Sequence, residues 1–277
     1  MAEAEANPGP WSRIVGVVDA LWRPPIGVLD LVGAHILLLL QVIVWSFRRP
    51  FRARVFLEQM DFVGVGSLLI VALVSLFVGM VFSLQSVSAF RQFGAESYVA
   101  STVAIALTRE LAPVFASIVI AARAGAGMAT ELGAMRTTEQ IDALSTMAVN
   151  PVQYLVAPRV IATTVMTPIL TMLFNMIGMA GAYFVAVNLQ GVDGGVFLEN
   201  TRWFLDPNDV AQGLAKSMVF GASLSLISCY QGFNASGGAK GVGIGTTRAV
   251  VASFVTILVL DYFLTDIWLT LFPTMRR

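Results

Sequence analysis

The sequence has few charged residues for its length. Of its 277 residues, 12% are charged and 57% are hydrophobic, and the mean hydropathy is +0.78. A soluble domain usually carries about 25% charged residues. Too few charges remain to cover the surface of a water-soluble globule, so the composition predicts an integral membrane protein.

The chain also lacks an excess of one charge, and it is poor in cysteine and histidine. Seventeen basic residues balance seventeen acidic ones, which excludes the basic field that nucleic-acid binding needs. A single cysteine, Cys229, excludes an intramolecular disulfide and a cysteine metal cluster. A single histidine, His35, cannot build a multi-histidine metal site. We therefore predict no metal site and no nucleic-acid partner.

No catalytic or nucleotide-binding motif is found. The sequence has no G-x-x-x-x-G-K-[ST] run, and GGAKG at 237–241 lacks both the spacing and the preceding strand of a phosphate-binding loop. We interpret Gly241, Gly243 and Gly245 as a tight turn that leads into the last span. The chain is expected to be a non-catalytic subunit without a cofactor, and any ATP would be bound by another chain.

The hydrophobic residues lie in long runs, which favours transmembrane helices over the alternating strands of a barrel. A helix needs about 20 apolar residues to cross the bilayer. A run at 152–187 is longer than one span but contains no polar turn, so Pro158 and Pro168 predict one kinked or tilted helix. The other predicted spans are 62–84, 98–122, 207–231 and 249–272.

The N-terminal segment, 1–50, is ambiguous. Its apolar part, 26–47, is interrupted by Asp30, His35 and Gln41. It could form one or two helices in the membrane interface or an additional span, and we favour the interface. The acidic start, MAEAEANPGP, lacks the basic region of a signal peptide.

The distribution of basic residues predicts the orientation. They concentrate before residue 61 and in the predicted loops 123–159 and 232–248, whereas the predicted loop 188–206 is mainly acidic. With five spans, all three basic regions face the cytoplasm, as the positive-inside rule expects. The N-terminus is then cytoplasmic and the C-terminus lies outside.

Several polar residues fall within or beside the predicted spans, where a charge is costly unless it is paired or hydrated. Arg109 and Glu110, in LTRELAP, could form the polar rim of a substrate cavity or a structural pair that holds helices together. Asp261 could belong to a proton or ion relay, but a helix-packing hydrogen bond is favoured. Gln85 could line a cavity or simply lie at the outer interface.

The segment 123–144 is too polar to span a membrane. We predict a short amphipathic helix over 129–144 on the cytoplasmic surface. This helix could be a solvated connector, or it could dock a soluble partner, and docking is slightly favoured. On one arc of that helix lie Glu131, Met135, Thr138, Glu139 and Asp142, with Leu132, Arg136 and Ala143 beside it.

The stretch LTRELAPVFASIVIAARAGAGMATELGAMRTTEQIDALSTMAVNP closely resembles the MlaE/YrbE permeases, the membrane subunits of lipid-transporting ABC systems associated with MCE proteins. The resemblance continues in order through GMVFSLQ, PRVIATTVMTPIL, GVDGGVF, KSMVFG and TTRAVV…VLDYFLT. It covers roughly residues 50–272.

The resemblance implies an all-α integral membrane fold: one permease domain over 1–277, with an N-terminal interfacial helix, five transmembrane helices and a cytoplasmic coupling helix between the second and third. It implies a homodimer in the bacterial inner membrane that moves phospholipid and maintains outer-membrane lipid asymmetry. Its implied partners are a cytoplasmic ABC ATPase that binds ATP and Mg, a hexameric ring of periplasmic MCE-domain protein and, in some systems, a STAS-domain protein.

The resemblance also implies site residues. The family's coupling helix corresponds to 129–144, and its lipid cavity lies at the dimer interface near the outer ends of the first and last spans. The implied ATPase contacts are Glu131, Leu132, Met135, Arg136, Thr138, Glu139 and Asp142. The implied lipid-binding residues are Gln85, Arg109 and Glu110, with apolar walls from Leu76, Met80 and Leu84.

Two other functions stay open on the sequence. One is an ion-coupled secondary transporter that uses Asp261, Arg109 and Glu110, although five spans show no inverted repeat. The other is a non-transporting membrane scaffold that recruits partners through 129–144.

Overall fold

The computed structural model describes residues 30, 32–46, 48 and 52–271, and within these ranges every regular element is a helix. The helices are α1 (Val32–Ser46), α2 (Ala53–Arg91), α3 (Glu96–Thr137), α4 (Gln140–Thr146), α5 (Val152–Leu189), α6 (Gly194–Phe204), α7 (Pro207–Phe233) and α8 (Gly238–Leu271). Of these, α3 opens with a 3-10 turn and contains two π-helical segments, Leu107–Leu111 and Ala121–Gly125.

The predicted five spans are confirmed. In the described part of the chain, α2, α3, α5, α7 and α8 are the helices that are long and apolar enough to cross a membrane. They extend beyond the predicted bounds: α3 has 42 residues, about 63 Å of helix against a hydrocarbon core of about 30 Å. The single helix predicted over 152–187 is confirmed as α5, with Pro168 inside it.

Two predicted loops, 232–248 and 188–206, contain helix instead. Gly241, Gly243 and Gly245 lie inside α8, so the tight turn predicted there is wrong. The chain reverses earlier, at Gly237 and Gly238, whose φ angles of +88° and +68° suit glycine. The predicted loop 188–206 contains α6, whose N-cap Asp193 accepts a hydrogen bond from the Val196 amide at 2.8 Å.

The single helix predicted over 129–144 is divided in two. α3 continues through Thr137, and α4 begins at Gln140. Between them Glu139 has a left-handed backbone with φ 60°, which no helix continues through. Arg123, predicted in a loop, lies in α3 with its guanidinium 4.9 Å from the Phe62 ring centroid.

The long helices alternate in direction. α2 and α5 run parallel, since Gly79 packs against the backbone of Gly178 and the Ser83 hydroxyl donates to the Ala182 carbonyl at 2.9 Å. α8 is antiparallel to α3, which it meets through Thr130 and Thr246 near one end and through Glu110 and Thr265 farther along. We call the two ends of the bundle the α4 end and the α6 end.

Small residues allow α2 to pack closely against α5. The buried face of α2 repeats every four residues, because positions one turn apart lie on the same side of a helix. Small side chains there permit the close backbone approach common between membrane helices. The residues of this buried face of α2 are Val63, Ser67, Val71, Ser75, Gly79, Ser83 and Val87.

α1 is too short to span a membrane, since its length falls in the 10–17 residue class and about 20 residues are needed. It packs on the α4 end, where Val42 is buried beside Ile141 and Leu155. Its other face exposes Ile36, Leu37 and Leu40. This agrees with the interfacial interpretation for the described part of 26–47, while residues 1–29 lie outside the described residues.

Candidate functional site: a charged cluster inside the helix bundle

Five charged side chains meet where α3, α7 and α8 pack together. Arg109 on α3 pairs with Asp209 on α7 at 2.6 Å. The ammonium of Lys216, on α7, lies 2.5 Å from the Glu110 carboxylate and 2.8 Å from the Asp261 carboxylate on α8. Each charge therefore has a partner on a neighbouring helix, as a charge at this depth requires. We call these five residues the charged cluster.

The start of α7 sets the position of Asp209. Asp206 is the N-cap and Pro207 the first helical residue, and the Asp206 and Asp209 side chains form a capping box. Asp209 thereby accepts hydrogen bonds from the Asp206 amide at 3.1 Å and from Arg109 Nε at 2.8 Å. Lys216 follows two turns later on the same face.

The backbone of α3 is adapted to Lys216. Pro113 has no N–H, so the carbonyl four residues earlier, that of Arg109, loses its helical partner. Lys216 Nζ donates to this carbonyl at 3.2 Å. The π-helical segment Leu107–Leu111 carries both Arg109 and Glu110, and such wide turns are frequent at functional sites.

Gly213 lets α3 and α7 approach at the same level. It lies between Asp209 and Lys216 on α7, and a Cβ atom there would overlap the Thr108 carbonyl oxygen. Glycine is thus required for the close contact that brings the charges within reach of each other.

The charged cluster has a buried side and an accessible side. The Lys216 and Asp209 side chains are 2% and 3% exposed, whereas those of Arg109 and Glu110 are 25% and 37% exposed. With three carboxylates against two cations, the ionised cluster would carry one net negative charge. The accessible groups are a guanidinium with spare donors and a carboxylate, which suit the phosphate and the amine of a zwitterionic molecule.

The other predicted lipid-binding residues lie elsewhere on the protomer. Gln85 and Leu84 line an open groove of about 510 Å³ at the α6 end together with Arg91 and Gln190. Leu76 and Met80 are half-buried beside Gly181 on α5. The structure brings Arg109 and Glu110 together, but it does not join them to this groove within one protomer.

At the α4 end, three of the seven residues predicted to contact a partner make contacts that serve the fold. Leu132 is fully buried, and Met135 packs against the same apolar cluster. The Glu131 carboxylate lies 2.9 Å from Arg159, whose side chain is 4% exposed. Exposed at the surface are Arg136, Thr138, Glu139 and Asp142, with Arg136 and Asp142 paired at 2.6 Å.

Sequence reasoning missed Asp209 and Lys216 as members of the site. The sequence does contain two indications of the site. Lys216 is a lysine within the apolar run 207–231, and Pro113 leaves the Arg109 carbonyl without its usual helical partner. Asp261 was interpreted chiefly as a helix-packing residue, and the structure does place it in a contact between α7 and α8.

Among the described residues, no group of three or more His, Cys, Asp and Glu side chains could hold a metal ion. These residues define a helical membrane protein whose spans enclose an ion-paired polar cluster. The model of the family Permease MlaE matches residues 56–267. The chain belongs to this family of ABC transporter permeases.

Three relatives are similar to this chain over most of its length, and two of them are named as permeases. A "Probable ABC transporter permease protein" of Rickettsia bellii is 39% identical over 92% of this chain and 98% of its own length. A protein of the same description from Synechocystis is 44% identical over 77% of this chain and 80% of its own. The Arabidopsis thaliana protein TRIGALACTOSYLDIACYLGLYCEROL 1, chloroplastic, is 38% identical over 82% of this chain and 65% of its own.

Proposed function

We propose that this chain is the permease subunit of an ATP-driven phospholipid transporter in a bacterial inner membrane. As a homodimer without a catalytic centre, it would move lipid between that membrane and a periplasmic MCE-domain protein. A separate cytoplasmic ATPase would bind ATP and Mg, and some assemblies would include a STAS-domain protein. Membership of an ABC permease family supports the ATPase partner.

The observation that carries the proposal is the accessible side of the charged cluster. A phospholipid presents a phosphate, often an amine, and two acyl chains, so its site needs a few polar groups among apolar walls. Arg109 and Glu110 supply opposite charges within an apolar bundle. The name of the Arabidopsis relative, which contains that of a galactolipid, also favours a lipid substrate.

The proposed orientation places the α4 end in the cytoplasm and the α6 end in the periplasm. The exposed residues Thr138 and Glu139, together with the Arg136–Asp142 pair, then face the ATPase. ATP-driven closure of two ATPases would push on α3 at its cytoplasmic end, and this continuous helix would transmit the motion to the charged cluster it carries.

The ion-coupled transporter is the second candidate. Lys216 between Glu110 and Asp261 resembles the paired ionisable groups of proton relays. The two functions differ in their energy source, because only the first requires an ATPase.

The test is affinity purification of the tagged chain from its native membrane, followed by reconstitution with whatever co-elutes. We expect a stoichiometric ATPase, an MCE-domain protein and bound phospholipid, with ATP hydrolysis stimulated by phospholipid. Glu110→Gln should reduce that stimulation. A chain that elutes without an ATPase in mild detergent, or transport that stops when the proton gradient is dissipated at constant ATP, would contradict the proposal.

A further inference from the structure

A second cavity lies at the α4 end, apart from the charged cluster. It is a narrow slot with a cavity volume of about 60 Å³ between the end of α1 and the starts of α2 and α5. Its walls are apolar, with Val55, Phe56, Ala157 and Ile161 among them. On α5 the slot is lined from Gln153 to Ile161, so it runs about 12 Å along the helix from near its start toward the middle of the bundle.

Two arginines at the mouth of this slot are held by aromatic rings. The Arg48 guanidinium lies 4.9 Å from the Trp45 ring centroid, and that of Arg52 lies 4.5 Å from the Tyr154 ring centroid. A guanidinium over an aromatic face is held there by the ring's electrostatic attraction, and its N–H groups can still bond an anion. The Arg48 carbonyl also accepts a hydrogen bond from the Gln153 amide group at 3.2 Å, which ties the mouth to α5.

These arginines have no carboxylate partner among the described residues. Both side chains are exposed. The neighbouring Arg54, by contrast, pairs with Glu58 at 3.0 Å and does not line the slot. Two guanidinium groups held by aromatic rings, without a carboxylate partner in the described part of the chain, suit a phosphate-type anion.

The apolar slot distinguishes a lipid from a free anion. Inorganic phosphate would use only the mouth, whereas a phospholipid would place its headgroup on the arginines and the first part of an acyl chain between Val55 and Ile161. Trp45 and Tyr154 are the residue types that line the interface of a membrane with water. We infer that this slot binds an anionic phospholipid of the cytoplasmic leaflet, at a site separate from the transport pathway. The leaflet follows from the orientation proposed above.

Lipid retention by the full-length chain tests this inference. The protein would be purified in mild detergent, equilibrated with equal amounts of phosphatidylglycerol and phosphatidylcholine, and its retained lipids counted by native mass spectrometry. A hydrogen bond from a guanidinium to a phosphate contributes about tenfold or more to affinity, and only arginines at the mouth of the slot can make it. Arg48→Gln/Arg52→Gln should therefore lower the retained ratio of phosphatidylglycerol to phosphatidylcholine about tenfold or more.

Two further variants separate the headgroup from the acyl chain. Ile161→Trp fills the slot and should remove one bound phosphatidylglycerol while both arginines remain. Arg54→Gln is the matched control, since it removes one neighbouring charge outside the slot, and it should retain lipid like the wild type. Wild-type retention by the double arginine variant would overturn the inference, as would an equal loss in Arg54→Gln.

Inorganic phosphate separates the two sources of the anion. Millimolar phosphate should leave the bound phosphatidylglycerol in place, and its displacement would assign the mouth to free phosphate instead. The readout does not involve ATP hydrolysis. A failure of lipid to stimulate the ATPase would count against the proposed function alone, whereas unchanged retention in the variants would count against this site alone.

Discussion

At the scale of single residues, Lys216 links two carboxylates of the charged cluster. Its ammonium contacts two carboxylates and a backbone carbonyl while its side chain is 2% exposed. Without it, Glu110 and Asp261 would face each other with no cation between them. Removing one partner from a buried ionic contact costs about 3–5 kcal/mol.

Lys216→Met should accordingly lower the thermal unfolding temperature of the detergent-purified chain. The triple variant Lys216→Met/Glu110→Gln/Asp261→Asn removes the uncompensated carboxylates as well, so it should recover a large part of the loss. Thermal unfolding followed by tryptophan fluorescence measures both. A single variant as stable as the wild type would show that the ion pairs do not hold α3, α7 and α8 together.

At the scale of elements, the contact between α3 and α7 depends on Gly213. Gly213→Ala would force the Thr108 carbonyl away, so α7 would move outward and the Arg109–Asp209 pair would lengthen. We expect a lower unfolding temperature, measured in the same way. The matched control is Gly243→Ala on α8, where a Cβ atom meets nothing within 4 Å. Alanine there should be neutral or stabilising by up to about 1 kcal/mol, and equal losses in both variants would refute this role of Gly213.

The turn between α3 and α4 allows a specific test of ATPase docking. Glu139→Lys reverses an exposed charge and leaves the left-handed backbone strain unchanged, because both residues have a Cβ atom. It should release the co-purifying ATPase without affecting membrane insertion. Glu131→Lys is a poorer choice, since it would place a second cation beside the buried Arg159. The control is Glu199→Lys, which reverses an exposed charge on α6 at the opposite end of the bundle. If Glu139→Lys still retains stoichiometric ATPase, Glu139 does not belong to the contact.

At the scale of the whole molecule, one protomer exposes apolar surface along α2 and α8. Leu69 and Tyr262 are 79% and 72% exposed, and side chains of this kind must face lipid or another protomer. The groove lined by Leu84 and Gln85 opens at the α6 end of α2. If the proposed homodimer pairs through α2 and α8, this groove and the charged cluster line one shared cavity.

The corresponding expectation is a protein mass of twice 29.7 kDa for the purified permease without its partners. Light scattering with correction for bound detergent measures this mass. A monomer that still supports lipid-stimulated ATP hydrolysis in the full assembly would contradict the dimer and require the cavity to lie within one chain.

The sequence alone determined the membrane class, the five spans, the family and the two polar positions on α3, because apolar runs and a long ordered motif are local properties. It did not determine that Asp209 and Lys216 complete the cluster, since this depends on Gly213 and on the parallel packing of α3 with α7. It also missed the interruption at Glu139, where a single left-handed residue divides the predicted helix, and the burial of Leu132. These features depend on which helices are neighbours and at what level they meet, and only the tertiary structure fixes that.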